Sequence, residues 1–292
     1  MRKTVLSLMS VATLVLAGCN SSNSPPQPGQ DGAAPSSTSA GANHVANQVS
    51  GTISLRAGSP LPSATATLVL NLVDVSATAA GSAPLASSTS PAGTFPQPFK
   101  LTFNPAEVKP NDLYKIQAVL TDGERHYTMP IQAPVLTQGS GNDGVAIELV
   151  AEQTPAEKIL AAFNAERKQL GGMKVSNGTK LEKDASRGWQ LFRQAGQVQF
   201  IRELVDYGDK GFTSTDYAYK DGKPWAVVQE TKSSRDAKPS SIDRAGWGED
   251  GSLVLKQHQV GADMQELGDN AAGKLKHQAM DILSLATGGK NK

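Results

Sequence analysis

Between residues 50 and 151, apolar and polar side chains alternate with a period of two in one short run after another, and no helical period interrupts them. Side chains on a strand point to opposite faces in turn, so this pattern restricts the segment to half-buried strands. The runs are Val49 to Arg56, Ala66 to Val75, Phe99 to Phe103, Tyr114 to Leu120, Arg125 to Ile131 and Val145 to Val150. Turn formers separate them: Leu61-Pro62, Asn104-Pro105, Pro110-Asn111-Asp112 and Asp122-Gly123. Asp-Gly between two alternating runs is a hairpin signal. Strands of this length and spacing predict a β-sandwich over 50–151.

The chain of 292 residues holds one cysteine, Cys19, so no intrachain disulfide can form and packed cores must supply the stability. Cys19 ends the only strongly apolar segment. Arg2 and Lys3 precede a twelve-residue apolar stretch, Val5 to Leu16, which is shorter than the ~17–25 residues of a spanning helix. It has the make-up of a secretory leader, and no later segment is apolar enough to span a bilayer. Leu16-Ala17-Gly18-Cys19 resembles the lipobox of bacterial lipoproteins. The resemblance implies cleavage of the leader 1–18, diacylglycerol on the Cys19 sulfur and acylation of its new amino group. It also gives a role to a thiol that would be a liability in an oxidising compartment. Several acyl chains, at about 0.8 kcal/mol per buried CH₂, make a stable membrane anchor. Asn20 follows; an aspartate there would resemble the inner-membrane retention signal of enteric bacteria. Its absence points to the outer membrane of a Gram-negative bacterium, facing the periplasm. Residues 19–49 read as the lipidated cysteine and a linker: Ser21 to Ala42 is Ser, Pro, Gly, Gln and Ala, with Asp31 its single charge. Such a composition cannot offset its ordering entropy. Thirty flexible residues span roughly 30 Å on average and at most about 100 Å.

Within 50–151 the residues Gly51, Arg56, Leu61-Pro62, Ala64 and Leu72-Val73-Asp74-Val75-Ser76 fall in a recognisable order. Phe95-Pro96, Pro98-Phe99, Leu101, Tyr114, Ala118, Asp122-Gly123 and Pro134-Val135-Leu136-Thr137 continue it. This pattern resembles the YbaY/YscW family of bacterial lipoproteins over about a hundred residues. The resemblance implies a small β-sandwich on a lipid anchor. Its YscW branch resembles pilotins, which chaperone a secretin subunit to the outer membrane. Two features depart from the family: Ala77-Thr78-Ala79-Ala80-Gly81 after the Asp-Val-Ser motif, and about 140 further residues.

Charge concentrates in residues 152–292, with 21 basic and 19 acidic residues against five and seven in 50–151. Thr154 as N-cap, Pro155 at the first position and Glu157 in the first turn predict a helix that runs to Gly171-Gly172. Trp189, Leu191 and Phe192 form a second apolar cluster. Strands are predicted over Gln197 to Tyr207, Thr213 to Lys220, Trp225 to Lys232 and Ser252 to Val260, and a last helix over about Met264 to Ala286. Gly268 and Gly273 weaken the first half of that helix. The whole is an α+β domain, an antiparallel sheet flanked by helices, in a mainly β chain.

Few residues point to chemistry. Gly139-Ser140-Gly141-Asn142-Asp143-Gly144 has the spacing of a dinucleotide fingerprint, but that motif works only between a strand and a helix, and a strand follows here. We read it as a turn, with no nucleotide. The histidines His44, His126, His258 and His277 stand apart, without the close ligand spacing of a metal site. No catalytic signature is present, so we expect no enzyme and no cofactor. The formal charge of +1 becomes −1 without the leader, which discounts nucleic acid as a partner. Aromatics cluster in the second half, with Tyr217 and Tyr219 on one face of a strand and Trp225 on the next. They read either as the core of a sheet poor in large aliphatics or as a binding surface for a peptide or glycan. Three functions fit: a non-catalytic, pilotin-like chaperone for an envelope protein such as a secretin subunit, a structural envelope lipoprotein, and an inhibitor of a lysozyme-type hydrolase carried by the second half.

Overall fold

The computed structural model describes residues 47–76, 83–137 and 140–289. The lipobox Leu16, Ala17 and Gly18, Cys19 and the linker up to residue 46 lie outside the described residues, as do Ala77 to Gly81.

The first sheet contains β1 (Gln48–Leu55), β2 (Thr67–Asp74), β3 (Ala86–Pro91), β4 (Gln97–Thr102), β5 (Tyr114–Asp122), β6 (Arg125–Thr128), β7 (Ala133–Val135) and β8 (Val145–Ala151). Its order is β3-β2-β5-β6-β8-β1-β4, with β7 also paired to β5. The expected sandwich of two sheets is replaced by one continuous sheet that folds over on itself. The physical reason is β8, which pairs on one edge with β6 at Tyr127 and Thr128 and on the other, in parallel, with β1. The end strands β3 and β4 approach one another, and the alternate side chains enclose a single core. Val49, Ile53, Leu68, Leu72, Tyr114, Leu120, Tyr127 and Leu149 are buried within it. Gly51 sits where β1 meets β8: a Cβ there would collide with the carbonyl of Val145 and the ring of Phe99. The Asp122-Gly123 signal forms the predicted hairpin, with Gly123 at φ +57°.

The second sheet is an antiparallel meander of eight strands in chain order. It comprises β9 (Lys174–Leu181), β10 (Ser186–Gln194), β11 (Gln197–Asp206), β12 (Phe212–Lys220), β13 (Lys223–Lys232), β14 (Ser241–Trp247), β15 (Leu253–Val260) and β16 (Asp263–Gln265). α1 (Pro155–Gln169) packs Phe163 and Ile159 on one face, against Phe192, Phe200, Ala218 and Ala226. α2 (Asp269–Thr287) packs Ala272, Leu275, Ala279, Ile282 and Leu283 on the other, against Leu191, Ile201, Tyr217 and Val227. A sheet covered on both faces buries consecutive residues, as Tyr217, Ala218 and Tyr219 do. α2 begins five residues later than expected, because Asp263 to Gln265 pair with β15 and Gly268 takes the N-cap. Gly288 in the left-handed conformation closes it, its N–H and that of Gly289 capping Leu285 and Ser284 carbonyls. Among the described residues no helix is long and apolar enough to cross a membrane.

The two sheets meet at a fixed joint. Thr154 and Glu157 form the predicted capping box at the start of α1. Arg125 of β6 adds a forked ion pair to the same carboxylate, with Nη1 donating to Glu157 Oε2 at 3.0 Å and Nη2 to Oε1 at 2.6 Å. Arg125 Nη1 also donates to the Glu152 carbonyl at 3.0 Å, and the Glu152 N–H donates to the His126 carbonyl at 2.8 Å. This guanidinium holds the Glu157 carboxyl below its ordinary range.

Candidate functional site: a notch beside β5

The run Arg125 to Ile131 reads as one strand in sequence but breaks after Thr128. Pro130 has no N–H to give a ladder, and residues 129–132 bulge out between β6 and β7. Along β5, β6 therefore reaches only Leu120 to Asp122, and β7 only Tyr114 to Ile116. Gln117, Ala118 and Val119 lie between, with no strand among the described residues beside them on that edge. The sulfur of Met129 fills in for a backbone acceptor, taking the Ala118 N–H at 3.0 Å. Thioether sulfur is a weak acceptor, so this closure is a soft one.

The result is an open notch of about 350 Å³, floored by Ile116 and Ala118 and walled by Met129. Ile131 stands at its rim, 74% exposed, and Val119 is 40% exposed. Lys115 is the one charged residue that lines it. Methionine and exposed aliphatics beside a pocket give an adaptable apolar surface of the kind that accepts a partner side chain. The notch lies next to a firm region. Asp122 accepts from the Ser63 hydroxyl at 2.6 Å and the Ser63 N–H at 2.8 Å, and these bonds hold its carboxyl below the ordinary carboxylate value.

The aromatic binding surface considered from sequence is not a surface. Tyr217 and Tyr219 have no exposed area, and both sit under α2. The Tyr217 hydroxyl donates to Glu203 Oε2 at 2.5 Å and the Tyr219 hydroxyl to the Ala279 carbonyl at 2.7 Å. Burial pushes both phenols well above their ordinary pKa. Trp225 lies on the opposite face, half-buried and edge-on to Phe163 at 6.4 Å, because a bulge between Ala218 and Tyr219 shifts the register of β13. The sheet itself parts the three residues, and the core reading describes them. The glycine-rich run leads straight into β8, with Gly139 outside the described residues, and Asp143 accepts from the Ser50 hydroxyl at 2.7 Å. His126 lies on β6, His277 on α2, and His258 Nδ1 lies 2.5 Å from Asp243 Oδ1; His44 is outside the described residues. Sequence reading missed the notch, for which Pro130 within an alternating run is the signal.

Residues 44–148 match the family model described as type III secretion system lipoprotein chaperone (YscW). The solved structure of an alternative pilotin from the type II secretion system of Vibrio cholerae is similar to this chain at 19% identity. The match covers 36% of this chain and 96% of that one, with a TM-score of 0.33. No curated protein matches the chain. A YscW-like segment thus occupies residues 44–148, from just ahead of β1 into β8.

Proposed function

We propose that this chain is an outer-membrane-anchored lipoprotein that acts as a non-catalytic, pilotin-like chaperone for an envelope protein. The match of residues 44–148 to the lipoprotein chaperone family carries the reading. The Leu16-Ala17-Gly18-Cys19 run supplies the anchor and the linker the reach. The notch beside β5 is the place we assign to the partner. Its volume takes one or two apolar side chains, as the apolar face of an amphipathic segment would present them. Lys115 at its edge favours an acidic neighbour in that segment. A secretin-like subunit is the partner class that the resemblance implies.

The test is a photo-crosslinking residue at position 131 in intact cells. One dominant envelope protein is expected in the crosslinked product, and it is lost when Val119→Asp places a charge on the same rim. No product above that of a lipidated control protein would overturn the proposal.

A further inference from the structure

The second sheet carries a polar feature that its fold does not need. One rung of paired residues crosses it beneath α2, and five successive members, Glu203, Thr215, Gln229, Asp243 and His258, are polar. The next rung on the same face, Ile201, Tyr217, Val227 and Ala245, is apolar and buried. Glu203 is 3% exposed and Thr215 1%. Arg187 of β10 pairs with Glu203 Oε1, and Tyr217 donates to Glu203 Oε2. Gln229 Nε2 donates to Thr215 Oγ1 at 3.1 Å and to Gln278 Oε1 of α2 at 3.3 Å. Buried ion pairs add little net stability over apolar packing, so an ordered polar floor of this kind has to be explained by something other than the core.

That floor opens into a cavity of about 260 Å³ between the sheet and α2. The size is close to the lower end of small-molecule sites, ~300–1,000 Å³, and admits a sugar ring but not a helix. The charges on its walls are already matched: Arg187 with Glu203 and, at 3.5 Å, Glu182, and Lys180 with Glu182 at 3.3 Å. An anionic ligand would have to break one of these pairs, and the Asp281 carboxylate at the rim repels it. The remaining polar lining is neutral: the Thr213 hydroxyl, the Gln229 carbonyl oxygen and the Gln278 amide nitrogen offer donors and acceptors together, as ligand hydroxyls need. Val205, Ile282 and Leu285 offer apolar contact for C–H faces, and Tyr207 an exposed ring at the mouth. We infer that this cavity binds a neutral, hydroxyl-rich ligand: one ring of a saccharide, held by Thr213, Gln229 and Gln278 over the Arg187–Glu203 floor.

The experiment titrates the full chain, purified in mild detergent, with N,N′-diacetylchitobiose, maltose and cellobiose, using calorimetry and saturation-transfer NMR. Glycylglycine and inorganic phosphate serve as charged probes of similar size. At least one neutral disaccharide is expected to bind with a millimolar dissociation constant or tighter. Thr213→Val and Gln278→Ala, both outside the hydrophobic cores, are each expected to weaken it about tenfold while leaving the unfolding midpoint unchanged. The inference fails if no disaccharide binds at tens of millimolar, if binding survives both substitutions, or if a charged probe binds more tightly than the sugars.

Discussion

Glu166 faces the second sheet from α1, and its Oε1 is buried with no hydrogen-bond partner; on that same sheet, the Nη1 of Arg244 is likewise buried and unpaired. Loss of water pushes the Glu166 carboxyl up to about 7. The unfolded carboxyl ionises near 4.5, so between these values the folded state keeps a proton that the unfolded state releases. The contribution to stability is therefore fully present below 4.5, declines as the pH rises through the window and is gone above 7. Glu166→Gln should match the parent protein at low pH and exceed it in stability at pH 8. With part of the side chain still in water, the gain is about 1 kcal/mol. Urea unfolding at the two pH values checks this; an equal gap at both would mean that the carboxyl is not desolvated. Residues such as this are silent in the sequence, because burial of a helix glutamate depends on which face the sheet covers.

At the scale of elements, the start of α1 rests on few atoms. Glu157→Ala removes the side-chain half of the capping box, in which the carboxylate accepts the Thr154 N–H, and the forked pair with Arg125 together, and should cost about 2 kcal/mol. Arg125→Ala leaves the box and should cost about 1 kcal/mol, since Glu157 is partly exposed. Chemical denaturation of the two variants would separate cap from clamp. This helix was legible in Thr154, Pro155 and Glu157 because local caps are written in neighbouring residues. The strands with one buried face were legible by alternation, as in Tyr114 to Leu120. β3, β7, β9, β10, β14 and β16 were not; β10 and β14 bury consecutive residues against both helices, which hides the alternation. β3 is Ser-rich and half-exposed, β9 is an edge strand exposed at nearly every residue, and β16 has three exposed residues. A strand that buries no face leaves no apolar period to read. The closure of the first sheet through β8 was also hidden, because a parallel pairing of β1 with β8 joins residues nearly a hundred positions apart.

For the whole molecule, the proposed lipid anchor is the feature that a single substitution tests. Cys19→Ser removes the sulfur that the proposed lipid would modify, and the variant should move from the membrane fraction to the periplasmic extract. Cell fractionation with immunoblotting reads the outcome, and retention in the membranes would overturn the lipid assignment. The notch and the polar floor arise only from long-range packing, which no local stretch of sequence records. The parallel pairing of β1 and β8 has a mechanical consequence. The chain enters β1 and leaves β8 at opposite ends of that ladder, β8 passing on into α1. A pull applied between the start of β1 and the end of β8 therefore loads the backbone bonds of that ladder in shear, all rungs sharing the force at once, rather than unzipping them one by one.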